Sequence, residues 1–514
     1  MSIDITELTG QSVFLAKVNR SQDIADYVDT GLAWGAGVSR SAADGRSHAG
    51  TDGRTMISEN PAVSGVFPDG VVRLDYKRAQ EFNRNHPPVR DSVRSKPLRS
   101  QLRAATAVVG DTRTFWVDNP EGQWSSIPAV LRAVGDNCNV WVADVNFDDN
   151  SGTKSDNKIT FAQAQAIAGN FDTIYGLTTA IYGYEYGGGV SSSAPTYGGK
   201  DGDPKIQILV YDIDYDFFGS QKSGTLGYFW SKDFFTQEEL AGNNMKTNLS
   251  EIFYVDAHFT DDYEDVVYST LVHEFQHMIN FNQKEIVYGK PIPETWYNEM
   301  LSMIAEDMIS PLIGINMTTG GHPINVRIPT FLAGYNLAGV SEWLGGSEEY
   351  YSYSNVYAFG AFLARNFGGA ELIKGIASNA LTNMESISSE LNRVNAGLFP
   401  SVNSAFTDAL GLYAQAFLYS GSGKPSGAYT FDTTDSRRIN NTNYTFTAFD
   451  IWKIPNAAKG DGPSVFDMTD YWEPMPGHSV LLLSYPEWQG RNGTLKIELE
   501  RPASSDIDLY LMVR

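Results

Sequence analysis

Apolar and polar positions change period several times along the chain. Ser12-Val-Phe-Leu-Ala-Lys-Val18 and Gly70-Val-Val-Arg-Leu-Asp-Tyr76 are short apolar runs separated by Gly/Ser/Asp-rich sequence such as Ser39 to Arg54, which predicts strands and long loops over residues 10–80. Strand-like runs resume at Thr112–Val117, Asn139–Ala143 and Lys205–Tyr211, with a helical stretch from Phe161 to Tyr175 between them. From Tyr263 to Tyr419 apolar residues recur at helical spacing, including Ala370–Val394 and Val402–Leu418. The tract Ser420-Gly-Ser-Gly-Lys-Pro-Ser-Gly427 breaks that pattern, and Tyr444–Phe449, Ser479–Tyr485 and Thr494–Leu499 have strand composition between turn residues. No fixed-period repeat is visible. The expectation is an α+β protein in three parts: a β-rich N-terminal segment at 1–105, a β-containing lobe followed by a helical lobe at 106–420, and a small β module at 421–514.

Composition narrows the function. With 514 residues, 42% hydrophobic and 19% charged, the chain has apolar material for more than one core and too little charge for a disordered polymer. Lys+Arg 38 against Asp+Glu 61 leaves a formal net charge of −23, which repels phosphate backbones and anionic lipid, so neither nucleic acid nor a membrane surface is an expected partner. No run reaches the roughly 18 apolar residues of a spanning helix. Cys138 is the sole cysteine, which excludes an internal disulfide and any thiolate metal cluster, and a small buried apolar role is its expected one. Scarce cysteine and lysine beside 48 glycines and 27 tyrosines suit an exported bacterial protein. Met1-Ser-Ile-Asp-Ile-Thr-Glu7 lacks the basic and apolar regions of a signal peptide, so the expected place is secreted or cell-envelope with the leader already removed, rather than cytoplasmic. Pro87 to Arg103, with Arg90, Arg94, Lys96, Arg99 and Arg103, reads as a linker or processing segment or as a solvated basic loop.

The chemistry concentrates at His273-Glu-Phe-Gln-His277, an H-E-x-x-H motif. On a helix this spacing puts both imidazoles on one face, where their nitrogens can reach one cation at about 2.0–2.1 Å. The context predicts that helix: Asp261 and Glu264 resemble a capping box, and Val266, Val267, Leu271, Phe275, Met278 and Ile279 form an apolar stripe up to Asn282. With 7 histidines and 61 acidic residues in 514 positions, chance yields only about 0.01 such motifs. A catalytic zinc ion, Zn2+, needs a third protein ligand and an open position for water. Glu299 is favoured because it lies in a second apolar-striped stretch, Trp296 to Ile309, that can fold back as a helix; Glu285, Glu294, Glu306 and Asp307 are its rivals.

Trp296-Tyr-Asn-Glu299 after this helix resembles the W-x-N-E segment of gluzincin metallopeptidases of the aminopeptidase N type, and its Asn-Glu pair resembles thermolysin. Val272-His-Glu-Phe-Gln-His-Met-Ile-Asn-Phe281 followed by Trp296-Tyr-Asn-Glu-Met300 is similar to the hyicolysin family of bacterial neutral metallopeptidases. The likeness is most specific over residues 250–310 and more diffuse over 110–420. It implies a thermolysin-like catalytic domain, zinc held by His273, His277 and Glu299, Glu274 as general base, and endopeptidase action on protein or peptide substrates. No G-A-M-E-N-like segment is present to hold a substrate's free amine, so an aminopeptidase is the alternative, as is a silent peptidase scaffold serving as a binding protein. The thermolysin aspartate four residues after its glutamate ligand corresponds to Met303, so the carboxylate that orients a histidine comes from elsewhere, with Glu306 or Asp307 as candidates.

Tyr357-Ala-Phe-Gly360 resembles the Y-x-x-G segment that supplies a catalytic tyrosine, which makes Tyr357 the expected oxyanion donor, with His322 in second place and more plainly a solvated loop histidine. Ser504-Ser-Asp-Ile-Asp-Leu-Tyr-Leu511 resembles a strand of the small β-sandwich modules appended to secreted bacterial peptidases. Asp144 to Asp156, Asp201-Gly-Asp203 and Asp212-Ile-Asp-Tyr-Asp216 cluster carboxylates as calcium, Ca2+, requires. They lack the glycine and terminal glutamate of an EF-hand loop, and solvated acidic turns are the plainer reading. Ile252–Asp256, just before the motif helix, is the strand expected to offer its backbone to an extended peptide.

Overall fold

The computed structural model describes residues 2–23, 33–34, 38–39, 63–66, 71–89, 107–149, 157–188, 199–219, 221–317, 321–421, 426–458, 460–467, 475–484, 489–490, 492–498 and 506–513. Most of the basic segment Pro87 to Arg103, and residues 150–156 of one acidic cluster, lie outside them. The architecture is mixed α+β. A strand β1 (Ser2–Thr9) precedes the run Ser12–Val18, which is realised as β2 (Val13–Asn19) and buries Val13, Leu15, Ala16 and Val18. Strand β3 (Val72–Leu74) and helix α1 (Lys77–Asn85) lie on the middle of the chain, through Arg73 to Glu274 and Asn83 to Ser231.

The central sheet comprises, among the described residues, β4 (Thr112–Asp118), β5 (Trp124–Val134), β6 (Cys138–Ala143), β7 (Ile206–Tyr211), β8 (Gly227–Phe229) and β9 (Ile252–Asp256), in the order β8-β9-β7-β6-β5-β4. Strands β6, β7 and β9 pair in parallel and are buried along their length, so they read as unbroken apolar runs rather than as alternation. Cys138 is fully buried at the start of β6, as expected. Helix α2 (Phe161–Tyr182) opens on a Thr160–Gln163 capping box and packs Phe171 against Phe253 and Phe275, ring centroids 5.8 and 5.3 Å apart. Strand β8 pairs antiparallel with β9, Gly227 opposite Val255. Ile252–Asp256 is therefore not an edge strand, because β7 and β8 occupy both its sides; the outer edge belongs to β8.

Helix α3 (Glu264–Asn280) carries the motif, continues as a π-helical segment over Phe281–Val287, and packs against α4 (Thr295–Ile309). The expected Asp261–Glu264 cap is not used. Ala257–Asp262 is a separate short helix capped by the Asp256 carboxylate, and Asp261 accepts a hydrogen bond from Gln163 Nε2 at 2.9 Å. The helical body continues through α5 (Pro323–Gly334), α6 (Glu349–Asn366), α7 (Gly369–Ser378), α8 (Asn383–Val394) and α9 (Ala405–Tyr419). Gly360 lets α6 lie close on α4, since a Cβ there would sit 2.8 Å from both Met300 Cγ and Ile304 Cγ1.

The division expected at 105 and 420 is not how the ends are built. A hairpin of Asp435–Ile439 and Thr442–Phe446 stays on the helical body, where the Tyr444 hydroxyl donates to the Leu177 carbonyl at 3.0 Å. Beyond it come β10 (Phe466–Asp467), β11 (Val480–Ser484), β12 (Asn492–Glu498) and β13 (Ile507–Val513). Their sheet runs β10-β11-β2-β13, and β12 pairs with β1, so the two ends of the chain form one β unit. Leu8, Val13, Leu15, Leu481, Leu483 and Leu495 enclose a small core of its own. An apolar strand such as β2 must pair on both edges, and nothing in its local sequence says that the partners lie at the other end of the chain. No helix of the described residues is long and apolar enough to cross a membrane.

Because β2 is central to that sheet and Leu15 is fully buried, Leu15→Ala is expected to destabilise the β unit by about 2–5 kcal/mol. Limited proteolysis should then show cuts in the C-terminal strands before any in the helical body.

Candidate metal centre

Helix α3 presents its two histidines to α4, and the three donor atoms meet in one buried spot. His273 Nε2 lies 3.1 Å from Glu299 Oε2 and 3.1 Å from His277 Nε2, and His277 Nε2 lies 3.5 Å from Glu299 Oε1. Donors about 2.1 Å from a tetrahedral cation stand about 3.4 Å apart, so the set fits one divalent ion with a position to spare. Among the described residues, His273, His277 and Glu299 are the group of three donors that converges in this way. The described carboxylates of the acidic clusters considered for calcium do not: Asp201 pairs with Arg113 at 3.1 Å, and the Asp203 oxygens accept from Asn139 Nδ2 and Lys205 N–H. Of the rival third ligands, Glu285 pairs with His86, and Glu294 accepts from the Trp296 indole and Asn383.

His273 is held from behind, and His277 along its edge. His273 Nδ1–H donates to Glu306 Oε1 at 2.6 Å, and Glu306 Oε2 accepts from the Ser269 hydroxyl at 2.8 Å. His277 Nδ1 lies 3.1 Å from Ser302 Oγ, which donates to Gln276 Oε1 at 2.5 Å. Glu299, Ser302 and Glu306 share a face of α4 by their i, i+3, i+7 spacing. Of the two candidates for the orienting carboxylate, Glu306 therefore meets the site, while Asp307 points away into a fully buried pair with Arg365, at 2.8 and 3.1 Å. Sequence reading missed Ser302, although its place three residues after Glu299 was a usable signal.

Burial disfavours charge here, and the partners overrule it. Burial and Arg73 push the His273 pKa down, but hydrogen bonds to Glu299 and Glu306 raise it to about 9. Burial pushes the Glu299 and Glu306 carboxyls up, yet the histidines hold Glu299 well below the carboxylate range and lower Glu306.

Glu274 is 7% exposed and faces the cleft beside the donors, Oε2 accepting from the Phe229 N–H at 2.9 Å and Oε1 from Arg73 Nη2 at 2.9 Å. The cleft lies between β8, α1, α3 and α4, and its wall includes Tyr353. Tyr357, the expected donor, is not among the lining residues. It lies one helical turn deeper, fully buried, with its hydroxyl donating to Asp307 Oδ2 at 3.0 Å. His322 is likewise absent from the cleft wall, and it is not a solvated loop residue: it is 1% exposed and caps α5 through Nδ1 and the Ile324 N–H. Arg73 carried no sequence signal, since it reaches Glu274 from a strand far away in the chain.

Fold and donor set together make His273, His277 and Glu299 a candidate metal site on an H-E-x-x-H helix, with the third donor coming from the next helix. A family model described as Peptidase M30 matches residues 127–431. The chain belongs to that family, the membership expected from Val272–Phe281 and Trp296–Met300. It is also 27% identical over 320 residues to the "Neutral metalloprotease ShpI" of Staphylococcus hyicus, covering 60% of this chain and 64% of that protein. The chain thus spans a little under two thirds of its relative's length.

Two outcomes follow from the geometry. Since the folded His273 pKa, about 9, exceeds its ordinary 6.5, the charged pair stabilises the metal-free fold at acid and neutral pH and that contribution is lost as pH rises through about 9. A zinc ion held by these donors would have to displace this proton, so at pH 7.5 zinc addition should release protons to a weakly buffered indicator, and apparent affinity should climb with pH until about 9. Glu306→Gln should weaken zinc binding about 10–100-fold in a chelator competition.

Proposed function

We propose that the chain is a zinc-dependent endopeptidase, with His273, His277 and Glu299 as ligands and Glu274 as general base. The observation that carries this reading is Glu274 itself, a carboxylate that is not one of the three donors yet lies beside them, next to the edge strand β8. The peptidase family membership and the metalloprotease relative support it. The thermolysin-like description of the catalytic region rests on the same motif and on the sheet-then-helices order.

When bound, zinc supplies Lewis acidity that makes water a competent nucleophile near neutral pH. Glu274 takes the proton from the attacking water and returns it to the leaving amine. The Tyr353 hydroxyl, in the cleft wall, donates to the oxyanion as the carbonyl becomes tetrahedral. Strand β8 holds the peptide: Gly227 opposes Val255 across the sheet, and its other edge borders the cleft, so an extended substrate can add there as a strand. Asn280 Nδ2 donates to Asn298 Oδ1 at 2.7 Å on the far wall, where both side chains line the cleft as polar groups for substrate amides. The placement favoured is secreted or cell-envelope.

Glu274→Gln should retain zinc and lose about 10²–10⁴-fold in kcat/KM on an amine-blocked peptide. Tyr353→Phe should lose about 10²–10³-fold, mostly in kcat, whereas Tyr357→Phe should affect stability and leave the rate near that of the parent. Zinc bound without cleavage of any peptide would favour a binding protein, and strict need for a free amine an aminopeptidase.

A further inference from the structure

We propose that residues 71–89 are a built-in inhibitory strap, in which Arg73, Gln80 and Asn83 engage the base, the tyrosine and the edge strand that a peptide substrate needs. This rests on the peptidase reading above. The strap lines the metal cleft itself, with Arg73, Tyr76, Gln80, Asn83 and Arg84 in its wall. Arg73 Nη2 donates to Glu274 Oε1 at 2.9 Å, and the two side chains are 5% and 9% exposed, so the pair is shut off from solvent. Gln80 Nε2 donates to the Tyr353 hydroxyl at 2.7 Å. Asn83 Nδ2 donates to the Phe229 carbonyl at 2.9 Å, and its Oδ1 accepts from the Ser231 N–H at 2.8 Å. In a parallel ladder one residue donates to a carbonyl and accepts from the N–H two positions further along its neighbour. The Asn83 amide makes that pair of bonds on the end of β8, where a substrate strand would otherwise form them.

The strap is held by charge as well as by shape. Arg78 Nε meets Asp118 Oδ2 at 2.5 Å, Arg84 Nη2 meets Glu349 Oε1 at 2.7 Å, and His86 Nε2 meets Glu285 Oε2 at 2.9 Å. These two arginines thus lie on acids of a chain whose net charge is −23. A peptide can bind only to the fraction of molecules with the strap withdrawn, and a withdrawn state populated at about 10% or less lowers apparent kcat/KM by about tenfold or more.

The test uses the full-length, zinc-loaded chain. Arg73→Ala, Asn83→Ala and the double variant are compared with the parent on a fluorogenic amine-blocked heptapeptide, and for the rate at which 4-(2-pyridylazo)resorcinol withdraws the zinc. Loosening the strap should raise kcat/KM, by about tenfold or more in the double variant, and speed zinc withdrawal in the same rank order. Amide hydrogen exchange over 71–89 should rise with them. If Arg73→Ala does not fold, Asn83→Ala decides alone, since its side chain is only half-buried. A folded variant that holds zinc, cleaves no faster than the parent and releases zinc at the parent's rate would overturn the strap. If no form cleaves any peptide while zinc withdrawal still quickens in the variants, the peptidase reading fails and the strap as a cover over the site stands.

Discussion

Three carboxylates, Glu274, Glu299 and Glu306, are buried around two imidazoles, and the chain must balance that negative charge inside a desolvated cluster. An unpaired buried carboxylate is costly enough that it would take up a proton or unfold its surroundings. Here the proton on His273, the guanidinium of Arg73 and the nearby buried Arg327 share the task. A divalent cation can replace the proton with more charge, so the same cluster of acceptors that holds a proton on His273 favours metal uptake. The packing of α3 on α4 serves this balance for Glu299 and Glu306, while Glu274 is met by Arg73 from β3 and the Phe229 N–H from β8.

An adjacent face of α4 is settled by a second buried pair. Asp307 and Arg365 lock α4 to α6, with Tyr357 and the edge of His322 alongside. That lock fixes the rotation of α4 about its axis, and with it the position of Glu299 and Glu306. The tyrosine expected to act on substrate is part of this internal frame, and the one a turn earlier, Tyr353, stands at the cleft.

Long-range strand pairing bears on the site from further away. Strand β2 closes the sheet of the C-terminal strands, while β3 and α1, a short distance along the chain, lie over the metal cleft. The N-terminal region is thereby anchored in one unit and applied to another. Strand β8 and the segment that lies over it come from opposite sides of a long stretch of sequence, so their relation is a property of the assembled protein alone.

The convergence of His273, His277 and Glu299, with Glu274 beside them, was legible in the sequence because it obeys local geometry: four residues make roughly one helical turn, and the next apolar helix must return across the first. The strands β6, β7 and β9, the long helices and the buried Cys138 were legible for the same reason, since burial on a given face imposes its own period. Elsewhere the deciding variables were not local. Glu306 and Asp307 differ by about 100° of rotation around one helix, and Tyr353 and Tyr357 by about 6 Å along another, so only packing against neighbours chooses between them. The partners of β2, the loss of the outer edge by Ile252–Asp256 and the arrival of Arg73 at Glu274 depend on which distant segments meet. Sequence determined the chemistry of the donors through spacing along single helices; tertiary structure decided their orientation, supporting residues and access, because these are set by contacts between elements that no local period encodes.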